Sequence, residues 1–235
     1  MKPVSLHAVT WNVHGFVGAD RRRDVPRIAR VLRSLDADVF ALQEVDAHPD
    51  SDGFEALASE LGYEAVAGPT LARSEGDYGN LLLTRHPLRA VERLDLSEPG
   101  VEPRGAIDAR LDVGGADVRV IVTHLGLSRH ERARQARRLC DSLDAASDDP
   151  ALVVLLGDLN EWRRPLGRTG LAPLVRRFGR RSAQRTFPAR APLLALDRVL
   201  VDRAEARVRF QVERAAAARS ASDHLPLRAQ IDLER

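Results

Sequence analysis

The feature that most constrains this chain is the alternation of short apolar runs of strand length with stretches of helical period. Leu6 to Trp11 reads as a first strand, Val25, Ile28, Val31, Leu32 and Leu35 fall on one face of a helix, and Asp38 to Glu44 returns as a strand. Phe54, Leu57, Ala58 and Leu61 mark a second helix, with Gly62 in the position of a C-cap. Four further runs, Asn80 to Thr84, Val91 to Leu96, Ala106 to Leu111 and Val118 to Thr123, have strand length and are separated by turn residues such as Arg85-His86-Pro87 and Gly114-Gly115. A charged helix from about Ser128 to Leu143 precedes the apolar strand Leu152 to Leu156, and a loop-rich arginine region follows. Leu196 to Val201 and Leu227 to Leu233 complete the pattern as closing strands. The class is therefore mixed α/β. At 235 residues, of which 44% are hydrophobic, the chain is sized for one large core, and residues 1–235 are expected to form a single domain.

Composition removes several function classes. There is no run of about 18 apolar residues, so no transmembrane segment is expected. Met1-Lys2-Pro3 passes directly into Val4-Ser5-Leu6 without the apolar stretch of a secretory signal, and the expected location is cytoplasmic. Cys140 is the single cysteine, which excludes an internal disulfide and a cysteine-built zinc or redox site; it is expected to be a small buried apolar residue. The formal charge is only +2, yet every basic side chain except Lys2 and the histidines is an arginine, the better fork for phosphate. From Arg163 to Arg190 the chain carries nine arginines and no Asp or Glu, a block that attracts anions unless it is simply a solvated face.

The polar residues of interest stand where strands run out into loops. Asn12 follows Val9-Thr10-Trp11, Glu44 ends Val39 to Gln43, and His124 follows Ile121-Val122-Thr123. Asp158 and Asn160 follow Val153 to Gly157, Asp197 is embedded in Leu196 to Leu200, and Asp223-His224 precede the last strand. Each alone has a plain structural reading as a turn residue, a cap or a satisfied histidine. Together, carboxylate and amide oxygens are the donors that a hard cation such as magnesium prefers, and Glu44 with Asn12, Asp158, Asn160 or Asp223 offers them. Zinc is disfavoured, because His124, His130 and His224 lack HExxH-type spacing and no thiolate accompanies them. A cation beside two imidazoles suits phosphoryl chemistry.

Trp11-Asn12-Val13-His14-Gly15, Leu42-Gln43-Glu44-Val45, Gly79-Asn80, Thr123-His124-Leu125, Gly157-Asp158-Leu159-Asn160, Leu196 to Leu200 and Ser222-Asp223-His224, in that order and over nearly the whole chain, resemble the endonuclease/exonuclease/phosphatase superfamily. The resemblance implies a four-layered α/β sandwich of the DNase I-like kind: two packed mixed β-sheets flanked by helices, with the site at one end. It also implies metal binding by Asn12, Glu44 and Asp223, with Glu44 the chief ligand and magnesium the ion, manganese its substitute. In this pattern Asp158 and Asn160 orient water and phosphate, with Asp158 activating the water. His224 contacts the phosphate or handles a proton, and Asp197 buttresses it. His124 touches the scissile phosphate, and Arg104, in Glu102-Pro103-Arg104, resembles a phosphate-binding arginine found in some members.

The implied reaction is hydrolysis of a phosphodiester or phosphomonoester by metal-assisted, in-line attack of water. Substrate is less constrained, because relatives act on nucleic acids, inositol phosphates and other diesters. Aromatic residues are only 4% of the chain, leaving few rings to stack on bases, and Trp162 is expected to pack at the core rim in preference to bordering the cleft. The segments around His124, Gly157 to Arg163 and Arg185 to Asp197 resemble a branch of short bacterial members that is sometimes associated with phospholipid metabolism. Nucleic acid and a phospholipid-derived or small phosphodiester both remain open as substrate. The competing class is a non-catalytic binding protein of the same fold.

Overall fold

A computed structural model describes residues 3–47, 53–73, 76–145 and 149–234; the reading of Met1-Lys2 and the side chain of Phe54 lie outside the described residues. The first sheet has the order β11-β12-β1-β2-β4-β3, formed by Arg207–Val212 (β11), Leu227–Leu233 (β12), Val4–Asn12 (β1), Val39–Ala47 (β2), Gly76–Thr84 (β4) and Glu64–Arg73 (β3). The second has the order β5-β6-β7-β8-β10-β9, formed by Leu88–Asp95 (β5), Gly105–Val113 (β6), Ala116–His124 (β7), Leu152–Asp158 (β8), Asp197–Val201 (β10) and Arg180–Arg181 (β9). Each sheet is mixed, with one parallel pair at its centre: β1 with β2, and β7 with β8.

Alternation within the central strands sorts the layers. In β1, Val4, Leu6 and Ala8 enter the core between the sheets, whereas Val9 and Trp11 face outward beneath helices. In β8, Leu152, Val154 and Leu156 face the partner sheet, and Val153 and Leu155 face the opposite helical layer. A strand buried on both faces carries a nearly continuous apolar run, as β8 does, whereas the first half of β1 alternates, with Ser5 and His7 exposed. One outer layer comprises Val25–Leu35 (α1), Gly53–Leu61 (α2) and Ala216–Ala221 (α5); the other comprises Arg129–Ala145 (α3) and Ala172–Arg177 (α4). The result is the expected four-layered sandwich.

Local chemistry starts the helices where the sequence places them. Asp24 caps α1 by accepting from the Arg27 N–H at 2.8 Å, and Pro26 occupies its first turn. Ser128 and Glu131 form a capping box at α3, with Ser128 Oγ accepting from the Glu131 N–H at 3.1 Å. The elements that the sequence did not announce have identifiable reasons. Gly68-Pro69 interrupts the apolar pattern of β3, which tolerates them as an edge strand with a register shift at Pro69. Strand β11 is another edge, half exposed along its length, and α4 and β9 lie inside the region read as loop. Cys140, on α3, is only half-buried where full burial was expected, because it packs at the margin of the core, and burial pushes its thiol up to about 11.

Two parallel pairs at the sheet centres send the carboxyl ends of β1, β2, β7 and β8 toward one end of the sandwich. Asn12, His124 and Asp158 are the last residues of their strands. Glu44 is different: β2 does not stop there but continues to Ala47 through a bulge between Leu42 and Val45, and Glu44 takes φ +56°. The bulge re-aims its side chain while the strand keeps its pairing to β4.

Candidate active site

Sheet register assembles the centre of the site. Asp158 pairs across β7 and β8 with His124 and across β8 and β10 with Asp197, so three residues far apart in sequence become lateral neighbours. Asp158 Oδ1 accepts from the Asn160 N–H at 2.9 Å. Its Oδ2 lies 3.7 Å from His124 Nε2 and 3.7 Å from His224 Nε2, and accepts from Asn12 Nδ2 at 3.2 Å. The same Asn12 nitrogen donates to Glu44 Oε1 at 2.8 Å. One amide thus ties the Asp158 and Glu44 carboxylates to a common space, while its Oδ1 accepts from the His14 N–H at 3.0 Å.

The two histidines differ in electrostatics. His224 is 5% exposed, and its Nδ1–H donates to Asp197 Oδ2 at 2.8 Å. Burial opposes its charge, but the carboxylates of Asp197, Asp158 and Asp223 overcome this and raise it to about 10, so it is an imidazolium at neutral pH. Thr186 Oγ also donates to Asp197 Oδ2, at 2.5 Å, and the His224 backbone is held by Ser222 Oγ and by Trp11 Nε1, which donates to its carbonyl at 2.9 Å. His124 is pushed down to about 4 by burial, with Arg104 adding to the effect, and is neutral. Arg104 Nη1 lies 3.2 Å from His124 Nδ1, and Asn160 Nδ2 lies 3.1 Å from its Nε2 while donating to the Leu125 carbonyl at 2.9 Å, so a nitrogen donor stands at each end of the neutral ring.

On the opposite side, burial works against the Glu44 charge. Contacts from His14, Asn12 and Tyr78 prevail and hold its carboxyl well below the ordinary carboxylate range. His14 Nδ1 stands between Glu44 Oε2 at 3.6 Å and Asp223 Oδ1 at 3.7 Å, and these acids raise its pKa. His14 and Asp223 are the most open of the group, at the rim. Behind Glu44, a small polar recess is lined by Tyr78, Asn80, Arg104 and His124. Two buried polar atoms there, Asn80 Oδ1 and Arg104 Nε, have no partner among the described residues.

The nine residues singled out from the sequence thus lie around one end of the sandwich, with Arg104 the innermost support for His124 and Asp223 the outermost. Sequence reasoning assigned no role to His14, Tyr78, Asn80 or Thr186. A signal existed for Tyr78, because it is two residues before Asn80 in a strand and so faces the same side. Thr186 had none, since only tertiary folding brings it onto Asp197. Backbone conformation adds a separate marker: His14, Glu44 and Asn160 all have positive φ, a costly state for such residues that concentrates at functional sites. Trp162 corrects an expectation: it is 47% exposed and lines an open cleft, because Glu161, not Trp162, turns inward to meet Arg132 at 3.0 Å.

Paired imidazoles thus flank an aspartate, with an oxygen-donor acid alongside, at one end of a two-sheet sandwich. The chain belongs to the endonuclease/exonuclease/phosphatase family, whose model matches residues 9–224. It is 34% identical to the uncharacterized protein YbhP of Escherichia coli over 249 residues, covering 97% of each chain. Among solved structures it resembles the endonuclease/exonuclease/phosphatase of Beutenbergia cavernae, with TM-score 0.77 and 26% identity, over 98% of this chain and 72% of that one. It also superposes on the mannosyl-6-phosphatase Bt3783 of Bacteroides thetaiotaomicron with TM-score 0.78 and 18% identity, over 97% and 99% of the two chains, a likeness of fold. Members of this family are generally phosphoester hydrolases and typically depend on a divalent metal. No helix among the described residues is long and apolar enough to cross a membrane.

Proposed function

We propose that this protein is a magnesium-dependent phosphoesterase that hydrolyses a phosphodiester or phosphomonoester by in-line attack of water. The observation that carries the reading is the position of Asp158, flanked by two histidines of opposite protonation state and joined to Glu44 through Asn12. Groups whose environments push their pKa values apart are how one site provides a base and a donor together.

The donor set fits a hard cation: an ionised Glu44 carboxylate, with Asn12 and Asp223 beside it, offers oxygen and no thiolate. Asp158, Asp197 and His224 also lie within 4.8 Å of one another, a spacing that could hold an ion. Asp197 Oδ2 accepts from both Thr186 and His224, and its Oδ1, without a hydrogen-bond partner among the described residues, is fully buried; Glu44 and Asp223 stand nearer the opening, so we place the ion on the Glu44 side. When bound, it would neutralise charge on the phosphate oxygens. Asp158 Oδ2 is the acceptor for the proton of the attacking water. His224, charged and oriented by Asp197, donates from Nε2 to a phosphate oxygen as negative charge develops, and the neutral His124 lines the phosphate position beside it. Asn160 and Arg104 fix His124, Arg104 adds positive potential, and Asn12 bridges Glu44 and Asp158.

The test is a panel of plasmid, single-stranded DNA, phospholipid, a chromogenic diester and its monoester, each with magnesium, with manganese and with chelator. Metal-dependent turnover of at least one class, lost by orders of magnitude in Glu44→Ala, is the expected result. Equal turnover by wild type and Glu44→Ala with saturating metal refutes the assignment. Metal binding without turnover of any ester would leave a non-catalytic binding protein as the better description.

A further inference from the structure

Two open clefts adjoin the catalytic end, each of about 560 Å³, and they share Arg164 and Pro165 as a common wall. The first lies between the start of α3 and the loop after Asn160; it is lined by Arg129, Arg163, Arg164 and Arg168 with the Trp162 ring. The second runs on past Arg181 and Arg198. Neither is lined by an Asp or Glu among the described residues. Glu161, the nearest acid in sequence, is fully buried and spent on Arg132 and on the Arg163 N–H.

Arg198 makes the excess charge costly. Its side chain is 1% exposed, its guanidinium donates only to the carbonyls of Ser182 and Glu161, and its Nε has no partner among the described residues. Burial, with Arg164 close by, brings it down to about 10. Asp197 and Glu161 are near enough to offset part of this, but neither carboxylate hydrogen-bonds the Arg198 guanidinium, and a cation buried on carbonyls alone is unfavourable until an anion joins it.

We infer that the twin clefts form an anion subsite for a multiply phosphorylated group, beside and distinct from the centre around Asp158. The inference rests on the phosphoesterase reading only for its use in turnover; binding stands independently. Concave walls favour a compact polyanion over a flat lipid surface. A nucleic-acid strand is disfavoured because Trp162, the one large aromatic residue exposed among the described residues, already carries the guanidinium carbons of Arg163 at 5.4 Å and Arg132 at 5.9 Å from its ring centre, which competes with base stacking. The shared chemistry is linked or neighbouring phosphates, whether from free polyphosphate or from a second phosphate of the ester substrate.

Trp162 supplies the readout, since the other tryptophan, Trp11, is fully buried. Tripolyphosphate titrated into the full chain with chelator present is expected to change Trp162 emission saturably. Arg164→Gln with Arg168→Gln, both on the exposed surface, weakens that binding about tenfold or more. Glu44→Ala leaves it unchanged, so loss of the catalytic reading and loss of this one are distinguishable. Calorimetry on Trp162→Phe checks that the ring reports binding and does not create it. A fall in kcat/KM confined to multiply phosphorylated esters in the arginine variant identifies the substrate as the source; an equal kcat/KM with retained arginine-dependent binding identifies free polyphosphate. No saturable binding, binding indifferent to the two arginines, or inorganic phosphate binding as tightly as tripolyphosphate overturns the inference. An oligonucleotide that binds through the same arginines and resists displacement by tripolyphosphate overturns it in favour of a strand groove.

Discussion

Replacing Asp197 by Asn leaves the shape of the side chain intact and removes the charge that holds the His224 proton. In the folded, metal-free protein His224 stands at about 10 against an ordinary 6.5, despite a burial that opposes its charge. At about 1.4 kcal/mol per unit, a rise of this size corresponds to roughly 4–5 kcal/mol of favourable interaction, shared by Asp197, Asp158 and Asp223. Asp197 makes the 2.8 Å contact and is the strongest of the three attractions, so it carries the larger part, and about 3 kcal/mol is the expected loss, in line with breaking a buried ion pair. The folded pKa is raised, so this stabilisation is complete below about pH 6.5 and disappears as pH climbs towards 10. Urea unfolding with chelator present, at pH 6, 8 and 10, is expected to show Asp197→Asn much weaker than wild type at pH 6, with the gap narrowing at pH 10. The His224 ring resonance should titrate near 10 in wild type and several units lower in the variant. A stability gap that does not change from pH 6 to pH 10, or a wild-type His224 that titrates near 6.5, refutes the reasoning.

Three other perturbations test different parts of the account. Asp158→Asn keeps the hydrogen bond from the Asn160 N–H but cannot take a proton from water; turnover at saturating substrate and metal is expected to fall by about 10²- to 10⁴-fold with little change in unfolding midpoint, and a fall of less than threefold counts against its role. Gly157→Ala would set a Cβ 1.8 Å from the Thr123 carbonyl oxygen, forcing β7 and β8 apart where His124 and Asp158 are paired; stability and activity should drop together, and an unaltered melting temperature contradicts the packing described. Asp108→Ala leaves Arg119 buried without the carboxylate that binds its Nε at 2.9 Å, away from the site; roughly 3–5 kcal/mol lost in denaturant unfolding, with kcat preserved in the folded fraction, is the expected pattern.

Much of this molecule is legible in the residues alone. Strand β8 announces itself as an unbroken apolar run and β1 and β7 as apolar stretches, α1 by its apolar face, and the site by polar residues at the ends of those runs. Local pattern could not reveal β3, whose Gly68-Pro69 only an edge position accommodates, nor β11, whose exposed alternation resembles loop sequence. Nor could it decide that Trp162 would face solvent, because the choice between Trp162 and Glu161 for the inward position was made by Arg132, a residue on another element.

The sequence by itself determined which chemical groups are present and that they stand at strand ends, because apolar periodicity and residue chemistry are local properties. Only the tertiary structure decided which of them touch. Register across β7, β8 and β10 set His124 and Asp197 beside Asp158, and the bulge at Glu44 turned its carboxylate to Asn12. The protonation states of the two histidines followed from burial and neighbouring charge, which are properties of position in space and are written in no single stretch of chain.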